Sequence, residues 1–159
     1  MILLTSEFKE LFTALGYNVG VVEKVEDWKE AVRISGELLL QHGCIEPGYI
    51  EKMISTCKEL GPYIAISPGV AIPHARPEDG AKKVCLSILV VKEGVNFGSH
   101  NDPVYVLIAF SSPDKSSHIK VIQQLAKLMM EKGSEMVNRL KKVESEEDIL
   151  KVLNDLVSE

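Results

Sequence analysis

The densest run of reactive residue types is Ser67-Pro68-Gly69-Val70-Ala71-Ile72-Pro73-His74-Ala75-Arg76-Pro77. A short apolar stretch delivers a histidine between two prolines. Pro73 restricts the backbone just ahead of His74 and removes one donor, and Pro77 stiffens the exit. A histidine held in this way loses little further freedom when it reacts. Neutral imidazole is a nucleophile near neutrality, because its unperturbed pKa is about 6.5. Arg76 adds a permanent charge and a forked set of donors suited to phosphate.

His118 is the second candidate. It follows the apolar run Val104–Phe110 and stands at the predicted start of a helix, where free N–H groups and a partial positive charge favour an anion. If the two strand ends are neighbours, His74 and His118 meet at one edge, and a phosphoryl group on one is held by the other, by Arg76 and by backbone amides. The remaining histidines read more plainly. His42 sits at a helix end, where the dipole favours it, and His100 lies in a polar Gly-Ser-His-Asn-Asp loop.

Other chemistries lack their residues. No HExxH, GxSxG, Walker loop or GxGxxG occurs, so zinc hydrolysis, serine hydrolysis and nucleotide binding have no carrier. No cofactor or metal is expected. Cys44, Cys57 and Cys85 contain no CxxC pair, and the expectation is three reduced, mostly buried thiols in a cytoplasmic protein.

The elements that must position these residues follow from periodicity and punctuation. Thr5–Leu15 reads as a short helix with Phe8, Leu11, Phe12 and Leu15 on one face, and Val19–Val25 as an extended segment. Asp27 caps a second helix, with Glu30 three residues on and Gly43 as its stop. A third helix runs from Pro47 to Leu60 before Gly61. Tyr63–Ser67 and Val70–Ile72 are short β segments about the Pro68-Gly69 turn. Val84–Val91 and Pro103–Phe110 are stronger strands, apolar enough for burial on both faces. Ser116 or Ser117 opens a helix to Glu131, Ser134–Leu140 makes a short one, and Ser145 opens the last, striped by Ile149, Leu150, Leu153, Leu156 and Val157. Helices before and after a central group of strands imply an α/β domain of α/β/α layers: a mixed β-sheet with helices on both faces.

Composition bounds the function. The 159 residues suit a single domain over 1–159, and 45% hydrophobic with 26% charged residues is the ordinary globular mix. Eighteen Lys and Arg against 23 Asp and Glu give a net charge of −5, which argues against nucleic acid as a partner. No apolar run approaches the roughly 20 residues of a membrane span, and the start has no basic export signal. The expected location is therefore cytoplasmic, without membrane insertion.

Gly69-Val70-Ala71-Ile72-Pro73-His74-Ala75-Arg76 resembles the active-site signature of the enzyme IIA components of the bacterial phosphoenolpyruvate-dependent sugar phosphotransferase system, fructose–mannitol type. Cys44–Ile54 resembles the family's helix ahead of the site, and Ser117-His118-Ile119 to Leu128 its second histidine and following helix. Gly61-Pro62-Tyr63, Pro68, Pro77-Glu78 and Asn101-Asp102-Pro103-Val104 are similar to the ascorbate-specific sub-type. Enzymes IIA for galactitol or other pentitols share parts of these marks. In the mannitol pattern an arginine stands sixteen residues before the histidine and an acidic residue six before it; this sequence has Lys58 and Pro68 there. The basic partner then becomes Arg76, with Lys58 left open.

The resemblance implies a mannitol-type enzyme IIA fold and a phosphocarrier. His74 would take a phosphoryl group from phospho-HPr and pass it to a cysteine of a cognate enzyme IIB, with the membrane enzyme IIC an indirect partner. His118 would stabilise the phosphoryl group, and Arg76 would contact phosphate or partner. Such a site needs an apolar collar against water, for which Ile72 and Tyr63 or Phe97 are the candidates. Two other readings compete. One is a domain whose phosphorylation state regulates a partner; the other is a hydrolase or small-molecule binder with a chance Pro-His pair.

Overall fold

The computed structural model describes residues 7–158. Its helices are α1 (Lys9–Leu15), α2 (Trp28–Gln41), α3 (Gly48–Leu60), α4 (Ile119–Leu140) and α5 (Glu146–Ser158). Its strands are β1 (Val19–Val22), β2 (Ala65–Ser67), β3 (Val70–Ala71), β4 (Cys85–Val95) and β5 (Val104–Ser111). They form one five-stranded sheet in the order β1-β4-β5-β3-β2. The β1–β4 and β3–β5 pairs are parallel, while β4–β5 and β2–β3 are antiparallel. The sheet is mixed, as expected from short neighbouring β segments that can pair antiparallel.

Two cores lie on opposite faces of this sheet. Leu86, Ile88 and Val90 of β4, with Val106 and Ile108 of β5, pack with α1, α4 and α5. Leu89, Val91, Leu107 and Ala109 point the other way, toward α2 and α3. That alternation explains why β4 and β5 read as continuous apolar runs. One polar residue interrupts the buried stretch of β4 from Cys85 to Val91, and it is satisfied: the buried Ser87 hydroxyl donates to the Ser35 carbonyl of α2 at 3.0 Å. Helices α2 and α3 meet closely, since a Cβ on Gly36 would lie 2.8 Å from Ile50 Cγ1.

Helix boundaries follow the caps. The Asp27 carboxylate accepts from Glu30 N at 3.0 Å, and the Glu30 carboxylate accepts from Glu26 N at 2.8 Å. Gly43 and Gly61 follow α2 and α3 with φ of +70° and +61°, as C-terminal glycines do. Ser145 Oγ accepts from Asp148 N at 3.2 Å at the head of α5. The predicted start of α1 at Thr5 falls outside the described residues.

Four expectations are corrected. Tyr63 and Ile64 belong to a 3-10 turn over Gly61–Ile64, and only Ala65–Ser67 pairs as a strand. Ile72 lies beyond β3. The separate helices expected over 116–131 and 134–140 are one helix of 22 residues, α4. Gly133 weakens a helix locally, but Leu128, Met136, Val137 and Leu140 are buried on both sides of it, and that packing outweighs propensity. Finally, Cys44 and Cys85 form a disulfide with Cα atoms 6.2 Å apart. The Cys44 carbonyl accepts from Lys82 N and Lys83 N, which draws the start of β4 to the loop after α2. Only Cys57 is a free thiol, and burial pushes its pKa up to about 12.

No helix among the described residues is long and apolar enough to cross a membrane.

Candidate functional site

The site forms beyond the end of β3, alongside the last residues of β5. These strands are parallel, with Val70 opposite Val106 and Ala71 opposite Leu107, so both chains leave the sheet at the same edge. From β3 the chain continues through Ile72 and Pro73 to His74. From Ser111, the last residue of β5, it continues through Ser112 toward His118 at the head of α4. Residues 44 apart in sequence thus face one cleft of about 300 Å³, lined by His74, Ala75, Arg76, Pro77, Phe110, Ser112, Lys115 and His118.

His74 is held on every side. Ile72 N donates to the Ile64 carbonyl at 3.1 Å, and Phe110 N donates to the Pro73 carbonyl at 3.2 Å. Ala75 N donates to the Tyr49 hydroxyl at 3.1 Å. The imidazole itself is bonded through Nδ1 to the Ile72 carbonyl at 2.9 Å. A carbonyl only accepts, so Nδ1 carries the proton. In the neutral ring that leaves the lone pair on Nε2, which has no hydrogen-bond partner among the described residues.

Phe110 completes the cleft. Its ring stacks on His74 with centroids 4.7 Å apart and on His118 with centroids 5.6 Å apart. His118 Nδ1 is buried without a hydrogen-bond partner among the described residues. The loop ahead of His118 is shaped by Asp114, whose carboxylate accepts from Ser116 N at 2.9 Å, Ser117 N at 2.7 Å and the Ser117 hydroxyl at 2.6 Å. The Ser117 hydroxyl bond, joined by those two amides, holds the Asp114 carboxyl well below the usual carboxylate range. The buried Ser112 hydroxyl donates to the Asp114 carbonyl at 2.6 Å.

The structure brings together His74, His118 and Arg76, the three residues that the sequence singles out. It also turns the Arg76 guanidinium partly away: Nε lies 3.5 Å from Asp79 and 3.8 Å from Glu78, on a side chain 72% exposed. Lys58 is exposed on α3 and is not among the lining residues. Lys115, which no sequence motif marks, lines the cleft and forms no ion pair among the described residues. The collar is also reassigned. Phe97 packs on Trp28 at 5.9 Å, within the α2–α3 core, and Tyr63 lines a different cleft with Ile66 and His100. Phe110 takes the place expected of them. Ile72 borders an adjoining apolar groove with Ile66, Ile122, Met129 and Met130. No group of three or more His, Cys, Asp or Glu suited to a metal ion occurs among the described residues.

Fold and site together define a class: three-layer α/β domains that present a histidine, fixed through one ring nitrogen, at the edge of a mixed sheet. Comparison with known proteins narrows it. Residues 17–156 match the family model of the phosphoenolpyruvate-dependent sugar phosphotransferase system, EIIA 2. The mannitol-specific cryptic phosphotransferase enzyme IIA component of Escherichia coli K12 is 35% identical over 137 residues, covering 86% of this chain and 92% of that protein. The ascorbate-specific EIIA component of the same strain is 35% identical over 133 residues, covering 82% and 85%. The solution structure of the E. coli mannitol-specific cryptic enzyme IIA superposes with a TM-score of 0.79 at 34% identity, covering 91% of this chain and 98% of that one. The E. coli complex of enzyme IIA for mannitol with phosphorylated enzyme IIB gives 0.73 at 26% identity, over 88% and 96%. This chain belongs to the EIIA type 2 family of the phosphotransferase system.

Proposed function

We propose that this enzyme IIA component carries a phosphoryl group on Nε2 of His74. The observation that supports it most directly is the 2.9 Å bond from Nδ1 to the Ile72 carbonyl, which fixes the tautomer and leaves Nε2 as the nucleophile. In the transfer, the phosphorus–nitrogen bond in phospho-HPr breaks as a bond from phosphorus to His74 Nε2 forms. The proton stays on Nδ1, donated to the Ile72 carbonyl, and the HPr imidazole leaves with the electron pair of the broken bond. Attack by a cysteine thiolate of a cognate enzyme IIB then reverses the arrangement. Positioning and charge stabilisation do most of the work in such transfers.

His118 serves as donor. Nδ1 has no acceptor to donate to among the described residues, so we assign the proton of the neutral ring to Nε2. That N–H is suited to a phosphoryl oxygen. Lys115 and Arg76 supply positive charge at the cleft mouth. Phe110 and the groove of Ile66, Ile72, Ile122 and Met130 form the apolar surface on which HPr and enzyme IIB dock in turn, in the cytoplasm. Met130 is 87% exposed, Ile66 50% and Ile119 48%. A face that two partners share favours modest, transient burial. The whole chain acts as one phosphocarrier domain, with the membrane enzyme IIC served only through enzyme IIB.

For the sugar, we propose ascorbate, supported by the sub-type marks about Gly61-Pro62-Tyr63 and Asn101-Asp102-Pro103. The mannitol-specific relative is as similar as the ascorbate-specific one, so the test includes enzymes IIB of both kinds. Intact mass is measured after incubation with phosphoenolpyruvate, enzyme I and HPr. One acid-labile phosphoryl group, absent in His74→Gln, is expected. HPr-dependent labelling that persists in His74→Gln overturns the assignment. Onward transfer to the ascorbate-type enzyme IIB, and not to the mannitol type, is the expected second result.

A further inference from the structure

Tyr49 lies on α3, 25 residues ahead of His74, and its side chain is fully buried. Its ring belongs to the core between α3 and the sheet, but its hydroxyl does something no core packing requires. It accepts from Ala75 N at 3.1 Å and lies 3.0 Å from the Phe110 carbonyl and 3.2 Å from the Ala75 carbonyl, both of which can take its single proton. Burial pushes the phenol pKa up to about 12, so the hydroxyl keeps that proton. A single buried O–H therefore bridges the residue after His74 to the residue whose ring stacks on both imidazoles.

The bridge has a counterpart on the other side of His74. Phe110 N donates to the Pro73 carbonyl at 3.2 Å. The two residues flanking His74 are thus tied to one residue of β5, Pro73 directly and Ala75 through Tyr49. Remove the hydroxyl and Ala75 N–H and the Phe110 carbonyl lose their link, while Pro73 stays pinned. The peptide after His74 is then free to pivot, and the imidazole pivots with it. An attacking nitrogen must stay within a narrow angle and distance of phosphorus, so small rotations are expensive in rate.

We propose that Tyr49 is a positioning residue for phosphoryl transfer: its hydroxyl clamps Ala75 to Phe110 and so fixes the direction in which His74 Nε2 points. The proposal rests on His74 being the phosphoryl acceptor. Tyr49 touches neither the phosphoryl group nor a partner protein; it acts only through the backbone around His74.

The test is rapid-quench transfer from phospho-HPr over a range of phospho-HPr concentrations, with wild type and Tyr49→Phe compared below both melting temperatures. The expected result is a maximal transfer rate constant about tenfold lower in Tyr49→Phe, with the half-saturating phospho-HPr concentration unchanged. A folded Tyr49→Phe that transfers at the wild-type maximal rate overturns the proposal, whatever its melting temperature. So does a loss confined to the half-saturating concentration, which would mark a docking effect. If Tyr49→Phe does not fold, a chain with Tyr17, Tyr63 and Tyr105 replaced by Phe is made with 3-fluorotyrosine at position 49. Fluorine keeps the shape and alters the hydroxyl as donor and acceptor. A maximal rate different from that of the same chain with ordinary tyrosine supports the clamp, and an equal rate overturns it. A wild-type chain that phospho-HPr never labels is a different failure, seen before any substitution; it refutes the phosphocarrier reading and this proposal with it.

Discussion

The ring of Phe110 lies against the imidazole of His74, with centroids 4.7 Å apart and planes inclined by 19°. The same ring meets His118 at 5.6 Å and 13°. A phenylalanine near the end of β5 therefore lies against both imidazoles and covers His74 with an apolar face. Aromatic pairs of this kind contribute about 0.5–1.5 kcal/mol beyond their area. In Phe110→Leu, phosphorylated His74 should lose its group to water about 2- to 10-fold faster than in wild type. Decay of the isolated phosphoprotein, followed by intact mass, gives the number; an unchanged half-life would mean the ring does not shield the group.

His118 contributes a donor rather than a nucleophile. Loss of one preorganised donor to a developing anion costs roughly 10²-fold or more. His118→Ala should therefore slow transfer from phospho-HPr by about that factor while still becoming labelled at His74. Equal rates in both directions would make His118 a structural residue.

Lys115 and Arg76 differ in how free their charges are. Arg76 is within 4 Å of two carboxylates, whereas Lys115 has no ion pair among the described residues. Lys115→Gln should accordingly slow transfer more than Arg76→Gln, and raising the ionic strength should narrow the gap. The reverse order would show that Arg76 leaves Glu78 and Asp79 when a phosphoryl group arrives.

Asp114 makes the loop before His118 sensitive to acid in a defined direction. Its folded pKa lies below the unfolded value of about 3.9. Its stabilisation is therefore complete above the unfolded pKa and fades as pH falls through the folded one. The melting-temperature gap between wild type and Asp114→Ala should be constant from pH 8 to about pH 5 and shrink below about pH 4. A gap that already closes between pH 8 and pH 6 would point to another titrating group.

Gly36 tests how closely α2 and α3 must pack. A methyl group there would meet Ile50 Cγ1 at 2.8 Å and Met53 Sδ at 3.3 Å. Overpacking of this kind costs about 1–3 kcal/mol, more than the helix propensity that alanine gains. Urea unfolding of Gly36→Ala should show the loss, and a more stable variant would mean that the helices can move apart freely.

Much of this was readable before any coordinates. Asp27 with Glu30 marks the head of α2, and the apolar runs mark β4 and β5, because caps and periodicity are local. His74 stood out because the two prolines beside it are local as well. What escaped was set by distant partners. Tyr49 looks like one more apolar residue on the α3 stripe, and its hydroxyl finds partners 26 and 61 residues away. Phe110 reads as the last core residue of a strand; only the parallel β3–β5 pairing turns its ring toward His74. Gly133 resembles a stop, and only the packing of α4 carries the helix through it. Cys44 and Cys85 are 41 residues apart, with nothing in either neighbourhood to announce the pair.

Helix α4 touches the His74 segment along much of its length. His118 stands at its head, Ile122 and Met129 share the groove with Ile72, and Val137 sits so close to Gly69 that a Cβ there would be 2.9 Å from Val137 Cγ1. At about 1.5 Å per residue the helix is a ruler of roughly 33 Å, laid beside the whole stretch from Gly69 to His74. The segment that leads to His74 and the residue His118 are thus both registered against one helix. A change that shifts α4 should therefore be felt at both histidines.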